Sequence, residues 1–99
     1  MPRVDAAKPQ PLDCASSAAE ESLRVQSAFG QRLRKMRHER LMTIEQLAEL
    51  ADLHPNYVGS IERGERNVSL FNIWRIADGL DVAASQLLEG LPRRAARRS

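Results

Sequence analysis

Between Asn56 and Asn67 the chain gathers Asn56, Ser60, Arg63, Arg66 and Asn67, side chains suited to holding nucleic acid by hydrogen bonds. An asparagine amide pairs bidentately with adenine N6 and N7, an arginine fork suits guanine, and a serine hydroxyl is tolerant of any base. Asn56 and Ser60 are therefore the direct-readout candidates, and Arg66 is the best single candidate for a guanine or minor-groove contact. Asn67 and His54 suit phosphates, as do Thr43 and Ser69, because N–H groups at helix starts attract anions. Bond-making chemistry has no comparable support. The sequence shows no glycine-rich phosphate loop, no metal-spaced His/Cys set and no paired nucleophile and base, so neither an enzyme nor a metal or cofactor site is expected.

These candidates have plainer readings beside the functional ones. Thr43 and Ser69 serve equally as helix caps, and His54 as a cap for the helix that follows it. Tyr57 divides between shielding the core edge and touching a phosphate, and Arg63 between solvent and ligand. His38 lies on a charged helix face and has no expected role.

Five helices are predicted to position this set. The first runs from about Val25 or Ala28 to Arg40, with Phe29, Leu33 and Met36 as one apolar stripe. Arg37 lies at the stripe's edge, where its guanidinium would turn inward only toward a carboxylate. Thr43 and Gln46 have capping-box spacing and open the second helix, whose inward residues are Ile44, Leu47, Ala48 and Ala51. Asp52 falls at the turn, in a residue type that tolerates left-handed backbone. Pro55 then suits the first turn of a third helix ending near Arg63 and Gly64, with Val58 and Ile61 buried. That leaves Pro55, Asn56, Tyr57, Gly59, Ser60 and Arg63 facing outward. Ser69 caps a fourth helix, Leu70 to about Gly79, with Leu70, Ile73, Ala77 and Leu80 inward. A fifth spans about Ala83 to Glu89. No alternating strand pattern of useful length exists, so the fold class is all-α.

Charge divides the chain of 99 residues into three segments. Residues 1–25, polar and broken by Pro2, Pro9 and Pro11, are expected to be a flexible arm, with helix-compatible residues from about Glu20. Residues 26–91 form the expected folded domain, with eight basic and nine acidic side chains. Residues 92–99 are a basic tail containing Arg93, Arg94, Arg97 and Arg98. The overall charge of +2 therefore does not advertise nucleic-acid binding; local clusters must provide it. No run reaches a membrane span of about 18 apolar residues. The start shows no signal-peptide pattern, and the lone Cys14 fits a reducing cytoplasm.

With its elements placed, the chain resembles the Cro/CI-like helix–turn–helix regulators, also called XRE-type. The likeness covers about Phe29 to Leu88 and rests on LAELA, IERGERNVSL (Ile61 to Leu70) and IADGLDV in order. Within that family, HPNYVGSIERGERN looks closest to the controller proteins of restriction–modification systems. The resemblance implies a compact five-helix, lambda-repressor-like DNA-binding domain in which Arg37 pairs with Glu62. Relatives carry glycine at the positions of Leu41 and Asp52, and a phosphate-contacting glutamine where this chain has Ile44. That contact would pass here to Thr43 or Gln46.

The resemblance also implies a homodimer on a pseudo-palindromic operator in double-stranded DNA, with Trp74, Leu87, Leu88 and Leu91 as candidate interface residues. Leu87 and Leu88 have an alternative place in the monomer core, and Trp74 one in the core rather than on the surface. The rival reading is an antitoxin-type interaction protein that binds a partner through its arm or tail.

Overall fold

The computed structural model describes residues 12–94, with side chains placed from Ala18 onward. Pro2, Pro9, Pro11, Arg97, Arg98 and the side chain of Cys14 lie outside the described residues. Five helices follow in order: α1 (Leu12–Glu39), α2 (Ile44–Ala51), α3 (Pro55–Glu62), α4 (Leu70–Leu80) and α5 (Ala84–Leu87). Among the described residues there is no strand, and no helix is long and apolar enough to cross a membrane.

The stripe of Phe29, Leu33 and Met36 is buried on α1, against a centre formed by Leu47, Val58, Ile61, Ile76, Leu80 and Leu87. Ala48 is buried where α2 meets α3, and its small side chain lets the two helices approach. Gly30 does the same for α1 and α3. A Cβ at Gly30 would overlap the Ile61 carbonyl oxygen and sit 2.8 Å from that of Glu62. Backbone thus meets backbone at this crossing, which only glycine permits.

A buried ion pair fixes the same crossing. Arg37 donates from Nε to Glu62 Oε2 at 2.7 Å and from Nη2 to Oε1 at 2.9 Å. Its Nη1 donates to the Met42 carbonyl at 2.7 Å, tying the segment before α2 into the joint. The two side chains are only 8% and 5% exposed. Hydrogen bonding to Glu62 outweighs the opposing effect of burial and raises the Arg37 pKa above its ordinary value. At the other ends of the fold, Arg40 Nε donates to the Leu80 carbonyl and Arg32 Nε to the Gln86 carbonyl, both at 2.9 Å.

The expected capping box is formed: Gln46 N–H donates to Thr43 Oγ1 at 3.0 Å, and Thr43 N–H to Gln46 Oε1 at 2.8 Å. Asp52 closes α2 in the left-handed region at φ 60°. Leu41, 90% exposed, occupies the same region at φ 57°. The helix boundaries differ from expectation at both ends of the chain. α1 begins at Leu12 rather than near Val25, since helix-favouring Ala, Leu and Glu extend it toward the N-terminus. α5 is a single turn ending at Leu87, and Gly90 then takes a positive φ of 81°.

Truncating Arg37 to Ala leaves Glu62 buried without its partner and should cost about 3–5 kcal/mol. A urea denaturation midpoint equal to wild type would contradict this. Leu41→Gly should act in the opposite direction. Relief of a left-handed side chain, about 1–2 kcal/mol, exceeds the extra unfolded-state freedom of glycine, about 0.5–1 kcal/mol. A higher melting temperature is expected, and a lower one would show that Leu41 carries no such strain.

Candidate nucleic-acid interface

α3 follows a tight three-residue turn, Asp52 to His54, and within its first turn Asn56 is exposed. His54 caps it: the imidazole Nδ1 accepts from the Asn56 N–H at 3.0 Å. A neutral ring accepting at Nδ1 carries its proton on Nε2, so the exposed edge of His54 is a donor suited to an anion. Asn56 and Asn67 are exposed and Pro55 is half-buried. Thr43 and Gln46 lie exposed at the start of α2, and Ser69 at the start of α4, where it accepts from the Asn72 N–H at 3.1 Å. Several polar groups from three helix starts and one loop thus remain available on the surface.

Ser60 is not among them. It is 3% exposed, and Gly59 is buried beside it, so the outward set expected of this helix narrows to Pro55, Asn56, Tyr57 and Arg63. The Ser60 hydroxyl donates to the Tyr57 carbonyl at 2.6 Å, the backward bond that a serine inside a helix makes to the preceding turn. Its oxygen also accepts from Arg66 Nε at 3.0 Å. The Arg66 guanidinium lies 5.8 Å from the centre of the Tyr57 ring, and the Tyr57 hydroxyl accepts from Asn72 Nδ2 at 3.1 Å. One connected set therefore spans α3, the following loop and the first turn of α4, and it holds the exposed Arg66 by a single nitrogen. Its two Nη groups form the fork that a guanine edge or a phosphate would engage.

Arg63 has a different partner. Its Nε donates to Glu65 Oε2 at 2.9 Å and its Nη2 to Oε1 at 3.3 Å, with both side chains more than half exposed. Hydrogen bonding from Arg63 holds the Glu65 carboxyl below its ordinary pKa and, reciprocally, raises that of Arg63. A phosphate approaching Arg63 would have to displace this carboxylate.

On the far side of α4 the pattern departs from expectation. Leu70 is 75% exposed rather than buried: it lies seven residues before Ala77 and on its side of the helix, but as the first residue of α4 it extends beyond the packing that covers Ile76, Ala77 and Leu80. Phe71 and Trp74 are 61% and 60% exposed, with rings stacked 6.1 Å apart, and the Arg75 guanidinium lies 4.8 Å from the Phe71 ring centre. Leu87 is fully buried in the core and so cannot offer a surface to a second chain; Leu91 also packs partly against the core, and Leu88 is partly exposed. Sequence reasoning missed Phe71. Its spacing from Trp74 and its misfit with the inward positions were the available signal. Among the described residues, no group of His, Cys, Asp and Glu side chains could hold a metal ion.

The helix–turn–helix family model HTH_3 matches residues 33–87. The chain is 47% identical over 62 residues to the control protein C.BamHI of Bacillus amyloliquefaciens, covering 62% of this chain and 76% of that protein. It is 39% identical over 66 residues to the control protein C.MunI of a Mycoplasma species, covering 66% and 89% respectively. Among solved structures, the restriction–modification controller protein C.AhdI from Aeromonas hydrophila superposes with a TM-score of 0.62 at 47% identity. That superposition covers 63% of this chain and 94% of the other.

The bond from Arg66 to Ser60 makes their effects interdependent. Arg66→Ala should weaken binding to a cognate duplex by about 1–3 kcal/mol if Arg66 reads a base. Ser60→Ala should weaken it less, and should add nothing further once Arg66 is already Ala. Fluorescence titration of the four proteins at one salt concentration measures this coupling. Independent, additive losses would mean that Ser60 does not act through Arg66.

Proposed function

The chain belongs to the HTH_3 helix–turn–helix family, and we propose that it regulates transcription as a homodimer bound to a pseudo-palindromic operator. The carrying observation is the pre-formed Ser60–Arg66–Tyr57–Asn72 set beside the exposed start of α3. That the Arg66 guanidinium is already held by Ser60 and Tyr57 supports a fork that engages DNA without first having to be ordered. In this reading Asn56 and Arg66 contact bases. Thr43, Gln46, His54, Pro55, Tyr57, Asn67 and Ser69 position the sugar–phosphate backbone, which sets register but carries no sequence information. Arg63 joins them once Glu65 is displaced. Similarity to control proteins of restriction–modification systems supports a regulator of that kind, working in the cytoplasm.

A single α3 offers too few base contacts for strong discrimination, so two copies are needed. Leu70, Phe71 and Trp74 share one exposed side of α4, an apolar surface of the sort that marks an interaction site. We assign the dimer contact to this side of α4, with Leu88 and Leu91 contributing from the end of the domain. Binding near a promoter would then block polymerase or recruit it. Occupancy would follow the concentration of the protein, because dimerisation and DNA binding are linked by mass action.

Selection of bound sites from random duplex DNA should enrich two symmetry-related half-sites about 34 Å, one helical turn, apart. Trp74→Lys, at an exposed position, should leave the fold intact but shift the protein toward monomer in sedimentation and weaken binding to the selected site. No enrichment would defeat the regulator reading. A Trp74→Lys protein that remains fully dimeric would defeat the interface assignment alone.

A further inference from the structure

Most of α1, residues 12–32, precedes the stretch that matches the family model, and residues 88–94 follow it. These two flanks meet. We infer that they form an accessory track for the DNA backbone, extending the contact beyond the half-site that α3 reads; the inference rests on the regulator reading above.

A groove runs between the N-terminal half of α1 and the strap after α5, and Arg24, Arg93, Arg94 and Asn67 line it. All four are exposed. Glu21 is the acidic residue within the groove and lies 3.5 Å from Arg94, leaving an excess of guanidinium charge along the walls. Val25 and Pro92 supply apolar surface, against which arginine stems can lie. Guanidinium forks match phosphate oxygens bidentately, so the groove suits a polyphosphate strand.

The position of the groove favours DNA over an acidic protein segment. Asn67 lines it and also belongs to the loop that carries Arg66, so the groove adjoins the candidate interface at that residue. The connection is rigid. Ser22 Oγ donates to Gln26 Oε1 at 2.8 Å, which orients the amide so that Gln26 Nε2 donates to the Gly64 carbonyl at 3.0 Å. Gly64 itself has φ 80°, and a Cβ there would lie 3.0 Å from the Ser27 Cα. The added turns of α1 are therefore pinned to the start of the recognition loop, and a strand seated on Asn67 is next to Arg24, Arg93 and Arg94.

The test uses the full chain and the site obtained by selection, placed in two duplexes: one ending at the half-sites, the other longer by about 8 bp on each side. Wild type should bind the longer duplex more tightly and with a steeper salt dependence, by about 0.9 in logarithmic slope per added phosphate contact. The triple variant Arg24→Gln, Arg93→Gln, Arg94→Gln should lose that advantage while keeping the base preference of wild type. Each contact removed should reduce the affinity loss between 50 and 200 mM salt about 3.5-fold. Arg93→Gln alone, on the exposed strap, provides the same readout if the triple variant fails to melt cooperatively. Equal dependence on duplex length and salt in wild type and variant would overturn the inference. So would arginine-dependent binding of a polyglutamate peptide with no effect of flanking DNA. Wild type that prefers no sequence would instead sink the regulator reading, and its salt slope on random duplex would still report on the groove.

Discussion

The buried pair between Arg37 and Glu62 sets the direction of α3, and everything the surface does depends on that direction. The energetic worth of such a pair is not the point, since an apolar replacement of similar volume often does as well. Its value is angular. A bidentate fork tolerates little rotation, and the third bond, to the Met42 carbonyl, brings the entry to α2 under the same control. Gly30 reinforces this by removing the side chain that would otherwise separate α1 from the last turn of α3. One helix of the scaffold thus holds both helices of the helix–turn–helix unit.

From that anchored end, polar contacts proceed outward along α3 with few loose members. Ser60 accepts a hydrogen bond from Arg66, and Tyr57 covers the guanidinium and accepts one from Asn72 of α4. His54 uses one ring nitrogen to complete the helix and presents the other to solvent. In the proposed reading, the groups that satisfy helix starts in the free protein also face the phosphates. Capping and recognition would then share atoms.

How much of this was legible beforehand depended on whether local chemistry decided the outcome. Thr43 with Gln46, Pro55 and Ser69 announce helix starts by spacing alone, and Asp52 took the left-handed turn that its side chain tolerates. Arg37 stood out as a charge on the edge of an apolar stripe, and the family resemblance supplied Glu62 as its partner. Taking Val58 and Ile61 as the buried pair of α3 leaves Ser60 outward, whereas its hydroxyl bonds backward to the Tyr57 carbonyl and is at home inside. Leu70 failed in the opposite sense: an apolar residue at a helix start has no neighbour to cover it. Leu87 could not be separated from Leu88 by pattern, since one turn of helix defines no face. The early start of α1 is hidden by the prolines before it and by Asp13, Cys14, Ser16 and Ser17, which favour helix only weakly. The groove joining Arg24 to Arg93 and Arg94 is a contact between the two flanks of the domain, which no local pattern encodes.

The exposed pairing of Arg63 with Glu65 has a consequence for how the protein finds its target. In free solution the carboxylate already occupies the guanidinium, so a random stretch of duplex gains little from this arginine: it must exchange one anion for another. With residues 26–91 carrying slightly more acid than base, the domain makes weak demands on DNA it merely passes. In the proposed reading this would shorten the time on non-cognate sequence, which a genome presents in vast excess. Glu65 would in this sense be a stand-in phosphate, trading affinity for speed of search.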